Sequence, residues 1–523
     1  MWGRFLWGPA LVVENLFMQG RGDPEAVLTD AAALCGELLK AGSVTAWLAE
    51  HRRDLFPDDA FADLFPSGKG RPSVPADVIA TVMVLQALEG LSDREAADAL
   101  RLRIDWKVAC GLALTDEGIH PTTLTYWRNR LRKSDAPRRI YDAVAAVIHA
   151  TGVLKGKRRR AVDSTVVHDA VATQDTVTQL VSAVRRVRKL VPAAAEVNVA
   201  AHDYDQSGKP ACAWDDPAAR DALITALVTD ATAILDAVAG EQLDAAQADA
   251  VGLLALVAGQ DVEPGDVDGT WRITHGTAKD RVISTVDRDT RHAHKSRSQQ
   301  QDGYKAHIAV EPDTGLITGC VITPGNTHDG VPVADLLAAE DQPVDVLADS
   351  AYGSADTRTA LAKAGHATII KPVQLRSAVP GGFTIDDFAI DTAAGTVTCP
   401  AGQTATITAS GNAVFQARCR GCPLRSRCTT SKRGRSLKNL TNYDVLHAAR
   451  RDAQDPDWQA VYRQHRPMVE RSIAWLVANG HRRVRYRGTD RNRMWLDHRV
   501  AAINLRQLIR NGLTGTAGTW QIA

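Results

Sequence analysis

The stretch that decides the fold reads, from residue 304 to residue 372, YKAHIAVEP (304–312), GLITGCVITPG (315–325), DGVPVADLLAAE (329–340), PVDVLADSAYG (343–353), DTRTALAKAG (356–365) and ATIIKP (367–372). The first two segments alternate apolar and polar residues and are joined by turn residues, which predicts a β-hairpin. The third and fifth segments have helical spacing, and the fourth and sixth are short apolar runs typical of buried strands. This order predicts a mixed α/β sheet.

Another strand of this sheet is predicted much earlier in the chain, in AVDSTVVHDAV (161–171). The run is rich in β-branched residues and bounded by charge, and we expect the strand to end near Asp163 to Thr165. Asp349 follows the apolar run of PVDVLADSAYG in the same way. Both aspartates are therefore expected at the C-terminal ends of hydrophobic strands, where a sheet presents side chains in a crevice.

A pair of aspartates at such a crevice has a chemical consequence. Two carboxylates brought close together repel each other, so a hard divalent cation is their natural partner. Mg²⁺ binds through one or two carboxylates plus substrate phosphates, which points to phosphoryl transfer on a phosphodiester. Taken alone, either Asp163 or Asp349 is better explained as a turn or strand-end residue.

The length of 523 residues predicts several folded units, since domains average roughly 150 residues, and the changes in residue pattern along the chain indicate where they divide. Helical spacing dominates residues 27–150, and the Ala-rich stretch after the first predicted strand is helical again. We expect an all-α N-terminal region (1–150) and an α/β domain (151–515), the latter interrupted by a helical insertion (174–262) and a cysteine-rich basic insertion (375–455).

The N-terminal region contains three short predicted helices around residues 91–132, the last of them basic. Ser92 and Glu95 have the spacing of a capping box at the first helix. The arrangement resembles a helix-turn-helix, whose last helix would face phosphates or bases with Thr123, Tyr126, Trp127, Arg128 and Arg130. A helical bundle with a solvated arginine face is the alternative.

Composition limits the classes of protein that fit. The net charge is +1, which excludes a uniformly basic nucleic-acid coat and a highly charged disordered chain. Eight cysteines are too few for a secreted disulfide scaffold. The N-terminal apolar stretch is interrupted by Arg4 and Glu14, and the richest internal run (251–259) is too short to span a bilayer. We therefore expect a soluble cytoplasmic protein with no membrane partner.

Longer strings sharpen this interpretation: VDSTVVHDAVATQDT, DGYKAHIAVEPDTGLITGCVITPGNTHD, VLADSAYGS and YRQHRPMVERSIAWL. They resemble the DDE transposases of bacterial insertion sequences, in particular the eleven-eighty-two group, related to the insertion-sequence-five/four superfamily. The resemblance runs from about Phe65 to Leu508 and implies a ribonuclease-H-like core with three acidic metal ligands. It also implies two Mg²⁺ (or Mn²⁺) ions per active site and a homodimer or larger assembly on DNA.

By the same resemblance, the catalytic metal ligands are Asp163 in VDST, Asp349 in LADSAYG and Glu470 in RPMVERS, with Tyr462 and Arg466 matching a signature that precedes the glutamate. Pro467 predicts that a helix begins there, which places Glu470 in its positive first turn. An ordinary i,i+4 ion pair between Arg466 and Glu470 is the alternative, worth about 0.2–0.5 kcal/mol. Related groups have a basic residue where this chain has Val477, and Arg482 or Arg483 would substitute for it.

Four cysteines, Cys399, Cys419, Cys422 and Cys428, are clustered in the second insertion. Four thiolates in a reducing compartment favour structural Zn²⁺, with two disulfides or an iron–sulfur cluster as alternatives. Basic residues and no acidic ones lie between Arg418 and Lys438, which predicts that this module contacts DNA. A zinc-bound loop with a merely solvated charge is the alternative.

A further basic block, HRRVRYRGTDRNRMW (481–495), predicts phosphate contacts through Arg482, Arg483, Arg485 and Arg487. Near the predicted strand ends lies a second group of polar residues that would orient water, contact phosphate or simply cap loops, namely His168, Asp169, Asn326, His328 and Asp329.

The sequence thus predicts a DNA transposase that cleaves transposon ends, at terminal inverted repeats, and transfers the strands into target DNA near the nucleoid. A nuclease on the same core that cuts without joining is one alternative. A catalytically inactive, host-recruited DNA-binding protein is the other.

Overall fold

The structure is a computed structural model that describes residues 29–66, 72–206, 208–296 and 299–523. The first 28 residues of the predicted N-terminal region therefore lie outside the described residues. The N-terminal helices are α1 (Ala31–Cys35), α2 (Val44–Leu55), α3 (Ala76–Glu89), α4 (Asp93–Leu102), α5 (Ile104–Cys110), α6 (Pro121–Lys133) and α7 (Arg139–Thr151).

The central part of the chain contains strand β1 (Arg159–His168), helices α8 (Thr176–Leu190), α9 (Pro192–Glu196), α10 (Pro217–Val238) and α11 (Ala245–Gln260), a small hairpin of β2 (Val262–Pro264) and β3 (Trp271–Ile273), strands β4 (Arg291–Ser296), β5 (Gln299–Val310) and β6 (Ile317–Pro324), helix α12 (Val333–Leu336), strand β7 (Asp345–Ala348), helix α13 (Ala355–Lys363) and strand β8 (Ala367–Ile370).

The C-terminal part contains β9 (Ala389–Asp391), β10 (Thr396–Thr398), β11 (Thr404–Thr406), β12 (Ala413–Val414), α14 (Arg425–Cys428), β13 (Ser436–Leu437), α15 (Tyr443–Asp452), α16 (Pro456–His465), α17 (Pro467–Val477), α18 (Thr489–Arg510), β14 (Leu513–Thr514) and β15 (Gln521–Ile522).

The central sheet has six strands in the order β4–β5–β1–β7–β8, with β6 also paired to β5. β5 is antiparallel to β1, β4 and β6, whereas β1, β7 and β8 are parallel to one another. The predicted hairpin is confirmed as β5 and β6. The mixed sheet with its helices confirms the mixed α/β class and is compatible with a DDE transposase.

The end predicted for β1 is wrong. The strand continues to His168, so Asp163 lies in its middle instead of at its end. The reason is the partner strand: β5 pairs with β1 continuously from Ala161 to His168 and supplies the backbone hydrogen bonds for the extra residues. The strand predicted to end at Asp349 ends one residue earlier, at Ala348.

The two faces of the sheet belong to different hydrophobic clusters, because alternate residues of a strand point to opposite sides. Ala161 and Val167 of β1 lie in the large cluster that also contains the N-terminal helices, α17 and α18. Val162 lies in a second cluster, beneath α12 and α13. Asp163 therefore faces α17, and Ser164 faces the opposite side.

The two predicted insertions each have a hydrophobic cluster of their own. Helices α8, α10 and α11 pack around Leu180, Leu227 and Leu253, all fully buried. In the cysteine-rich segment, β9–β11 and β12–β13 form small sheets around Phe388 and Phe415.

A buried polar clasp joins the N-terminal helices to the C-terminal ones. Arg499 of α18 is 1% exposed and donates hydrogen bonds to carbonyls at the C-terminal ends of two helices. The acceptors at α3 are Ala87 and Leu88. Those at α17 are Trp475, Leu476 and Ala478. A cation is favourable there because helix C-termini carry negative partial charge. His481 donates from Nε2 to the Ala87 carbonyl (2.8 Å), and its Nδ1 accepts from Trp495 Nε1 (3.2 Å). Burial lowers the pKa of His481 to about 3, which keeps this ring neutral.

Candidate active site

The three acidic residues predicted as metal ligands come from three different elements. Asp163 lies in the middle of β1, Asp349 directly follows β7, and Glu470 lies in the first turn of α17, which packs against β1. The helix begins at Pro467, as predicted from the sequence. Asp349 caps a short 3₁₀ turn, since its Oδ1 accepts a hydrogen bond from the Ala351 amide (2.9 Å). Asp163 and Asp349 lie close enough to interact electrostatically.

Arg466 lies between two of the three carboxylates. Its Nη2 donates to Asp163 Oδ2 at 2.9 Å, and its Nη1 is 3.6 Å from Glu470 Oε1. The Arg466 side chain is nearly buried, and its Nε and Nη1 have no hydrogen-bond partner among the described residues. The main partner of Arg466 is therefore Asp163. A simple i,i+4 ion pair would instead make Glu470 the main partner.

Burial controls the protonation of Asp163. It raises the pKa of the carboxyl, and the nearby charge of Asp349 raises it further, whereas Arg466 and the Ser164 amide lower it. Removing two carboxylates from water is costly unless a cation compensates them. Arg466 is that cation for Asp163 in the free protein.

Tyr462 precedes this cluster on α16 and is half-buried. Its ring stacks on Trp458, with 5.2 Å between ring centroids and 5° between planes. Burial raises the pKa of the Tyr462 hydroxyl, and the carboxylates of Asp349, Glu470 and Asp163 add to this effect. The hydroxyl therefore stays protonated and can donate to a phosphate oxygen. Trp458 was not among the residues predicted from the sequence, although its i,i+4 spacing from Tyr462 indicates that the two rings lie on the same face of a helix.

The donor set suits a hard cation, because all three side chains offer carboxylate oxygens. No group of three His, Cys, Asp or Glu side chains is placed to hold a metal ion in the described ranges. The Glu470 side chain is 69% exposed, so it is free to change rotamer, whereas Arg466 contacts Asp163. The residue types thus fit a divalent metal, which Asp163, Asp349 and Glu470 would hold only after Glu470 and Arg466 change conformation.

The arginine block follows α17 along the edge of β1. His168 forms a parallel bridge to Arg483, and Arg482 Nη1 donates to Thr165 Oγ1 (2.8 Å) and to the Val166 carbonyl (3.2 Å). Arg485 donates to the Gly90 carbonyl. Arg482, Arg483, Arg485 and Arg487 are all exposed, so the block lies on the surface beside the strand that carries Asp163.

The last helix of the predicted helix-turn-helix is α6, and the capping box of Ser92 and Glu95 is confirmed at α4. Tyr126 is 69% exposed and Arg130 is also exposed. The outward positions predicted for Trp127 and Arg128 are wrong. Trp127 packs edge-on against Phe65, and Arg128 is paired with Asp93 and lies 5.4 Å from the ring centre of Tyr486. The apolar face of α6 turns these two residues inward against neighbouring elements.

The four clustered cysteines line one small pocket together with Phe415 and Arg435. All four are free thiols, and Cys419 Sγ accepts a hydrogen bond from the Arg435 amide at 3.4 Å. Burial raises the pKa of the Cys428 thiol, which Arg435 opposes and the other three cysteines reinforce. The four thiols therefore share one pocket, although in the described ranges they are not placed to hold a metal ion together. As residue types, soft sulfur donors without acidic neighbours suit Zn²⁺.

Comparison with known proteins gives two matches. Residues 398–509, which include Glu470, match the family model described as Transposase DDE domain. Residues 47–130, which include α4 to α6, match the one described as Transposase domain (DUF772). The two matches support a transposase, a class of protein that acts on DNA. The first of them supports, more specifically, a DDE transposase and hence a DNA-cleaving enzyme.

No curated protein matches the chain, and no solved structure matches it. Within the described ranges, no helix is both long and apolar enough to cross a membrane.

Proposed function

We propose that this protein is a metal-dependent DNA transposase that cleaves the ends of its element at terminal inverted repeats and transfers them into target DNA. The observation that carries the proposal is that Arg466 contacts Asp163 of β1 and lies 3.6 Å from Glu470 at the start of α17, with Asp349, at the end of β7, within electrostatic range of the same guanidinium. The strand order β6–β5–β1–β7–β8, with three antiparallel strands followed by two parallel ones, supports a ribonuclease-H-like core.

In this proposal Asp163, Asp349 and Glu470 would hold two Mg²⁺ or Mn²⁺ ions. When bound, such ions would activate an attacking water or 3′-hydroxyl and stabilise the leaving oxygen of an in-line displacement. The protein's own side chains bind and orient the DNA. Arg466 compensates the charge of Asp163 in the free protein, and the protonated Tyr462 hydroxyl donates to a phosphate oxygen.

The DNA path is proposed to run over the exposed basic surface around this site. Arg482, Arg483, Arg485 and Arg487 lie beside β1, and Tyr126 and Arg130 lie on the exposed face of α6. Contacts of this kind position a duplex on the protein without reading its sequence. The protein would act on nucleoid DNA in the cytoplasm, as a homodimer or larger assembly, because two ends must be held together.

Cleavage of a labelled duplex carrying the element's own terminal repeats, with a target plasmid present, tests the proposal. We expect cuts at the repeat ends and joined products in Mg²⁺ or Mn²⁺, and neither after chelation. Cuts without joined products would indicate the nuclease alternative. Binding of the ends without any cut, with Mn²⁺ demonstrably bound to the protein, would indicate a host-recruited DNA-binding protein.

The cysteine-rich segment is proposed to bind one structural Zn²⁺ through Cys399, Cys419, Cys422 and Cys428, in line with the eleven-eighty-two-like group. We expect about one zinc per chain by elemental analysis of protein purified under reducing conditions. Cys422→Ser should remove the zinc and lower the melting temperature of the protein. Cys212→Ser, outside the cluster, is the matched control. Iron in place of zinc, or no metal with paired cysteines, would contradict the assignment.

A further inference from the structure

A hydrogen-bonded cluster lies on the side of β1 that faces away from Glu470. Ser164 directly follows Asp163, and its amide donates to Asp163 Oδ1 at 2.8 Å. The Ser164 hydroxyl donates in the opposite direction, to Asp329 Oδ1 at 2.9 Å. Asp329 belongs to the loop after β6, so this bond connects the backbone at Asp163 to a distant part of the chain.

Lys305 of β5 completes the cluster. Its Nζ donates to the same Asp329 Oδ1 at 2.9 Å and to the Thr327 carbonyl at 2.8 Å. The side chains of Lys305 and Asp329 are 17% and 18% exposed, so water screens their attraction only in part. One carboxylate oxygen therefore receives a charged and a neutral donor from two adjacent strands, β5 and β1.

Tyr352 brings the turn around Asp349 to the same place. It is the third residue after Asp349 and is fully buried, and its amide donates to the Asp349 carbonyl at 3.2 Å. The Tyr352 hydroxyl lies beside the Ser164 side chain and within electrostatic range of Asp329, Asp163 and Asp349, although it makes no hydrogen bond of normal geometry in the described part of the chain. The turn that presents Asp349 thus packs against the cluster that holds Ser164.

The backbone alone does not fix the spacing of the two aspartates. β1 and β7 are paired only from Arg159 to Ala161 on one strand and from Asp345 to Leu347 on the other. The ladder therefore stops two residues before Asp163 and two residues before Asp349. Beyond that point no backbone ladder joins the two strands directly, so side-chain contacts between them contribute to the separation of the two carboxylates.

We propose that Asp329 and Lys305 are positioning residues that fix the backbone around Asp163 relative to the turn around Asp349, and so set the geometry of the divalent-metal site. This inference rests on the proposed function. Neither residue supplies a metal ligand, because both lie on the opposite face of β1 and act through Ser164 and the turn containing Tyr352. The competing explanation is an ion pair that only stabilises the loop after β6.

The test compares Asp329→Leu, which has a similar volume but accepts no hydrogen bond, with Asp329→Asn, whose amide oxygen can still accept from Ser164 and Lys305. Removing a residue that orients metal ligands typically costs 10- to 100-fold in metal affinity or activity. For Asp329→Leu we expect Mn²⁺ binding to the free protein, followed by electron paramagnetic resonance, to weaken by about 10-fold or more. The cleavage rate should fall similarly, with the KM for end DNA unchanged. Asp329→Asn should stay near wild type in all three quantities.

Asp335→Leu, an exposed position on α12, is the matched control. If Asp329→Leu fails to fold, Ser164→Ala breaks the same connection and leaves the Lys305–Asp329 pair intact. Wild-type Mn²⁺ affinity and rate in folded Asp329→Leu or Ser164→Ala would overturn the inference. So would a lowered melting temperature with unchanged Mn²⁺ affinity, because that is the result of a purely structural pair. If wild type binds Mn²⁺ but never cuts, the proposed function fails, and the Mn²⁺ affinities of the variants still decide the inference.

Discussion

Asp349→Asn is expected to lower the rate of metal-dependent cleavage at the element's ends by at least about a thousandfold, the scale seen when one member of a catalytic unit is removed. The amide oxygen of asparagine can still accept the Ala351 hydrogen bond that caps the turn, so the local fold should persist. What is lost is a negative charge beside Asp163. We therefore expect unchanged binding of end DNA, measured by gel shift, and no product in the cleavage assay.

Asp345→Asn provides the matched control for this substitution. Asp345 begins the same strand, β7, four residues before Asp349, and lies on the same face of the strand. Its substitution should leave cleavage within about threefold of wild type. Equal losses in both variants would show that the charge of the strand, and not the position of Asp349, matters. Residual cleavage by Asp349→Asn at the wild-type rate would remove Asp349 from the active site.

Of the substitutions considered, Arg499→Met should lower the free energy of unfolding the most. The Leu476 carbonyl at the end of α17 would lose its side-chain donor, at a cost of about 1–3 kcal/mol. The Ala87 and Leu88 carbonyls at the end of α3 would each lose one of two donors and keep only His481 and Asn479. We expect the melting temperature, followed by circular dichroism, to fall by about 5 °C or more. Amide hydrogen exchange in the last turns of α3 and α17 should accelerate, because Arg499 no longer holds the carbonyls of those turns by hydrogen bonds.

Arg510→Met is the control for Arg499→Met, since it removes an exposed arginine from the end of the same helix. Its effect on the melting temperature should be small, because surface substitutions usually change stability by less than about 0.5 kcal/mol. Arg499→Lys should remain destabilising, because a single ammonium cannot reach the carbonyls of two helices. Full stability of Arg499→Met would mean that packing and not the clasp joins these helices.

Local signals in the sequence predicted the bounds of two elements that carry candidate site residues. Pro467 set the start of α17 and therefore the position of Glu470 in its first turn. The short apolar run before Asp349 ended where β7 ends, because no partner strand extends it. Both features depend on residues within one turn or one strand, which a sequence displays directly.

Other parts of the site depend on contacts that local patterns do not contain. Asp163 lies inside β1 and not at its end, because β5 pairs with the strand past that residue. Arg466 binds Asp163, which is 303 positions away in the chain. Arg128 was expected on the surface, but its partner Asp93 lies on another helix, α4, and Tyr486 comes from the far end of the protein. Such pairings follow from tertiary packing, which overrides the helical periodicity of a single segment.

The insertion with its own core affects how the chain must be synthesised. β1 ends at His168 and its partner β5 begins at Gln299, so β1 leaves the ribosome on the order of ten seconds before β5 exists. During that interval β1, with its Ala and Val residues, is an unpaired strand, and unpaired strands are typical starting points for aggregation. Helices α8 to α11 can already fold around their own hydrophobic cluster before β5 is synthesised. The folded helices shorten the flexible part of the segment that connects β1 to β5, and so lower the entropy lost when the two strands pair. The insertion therefore makes late pairing of the central sheet less costly during translation.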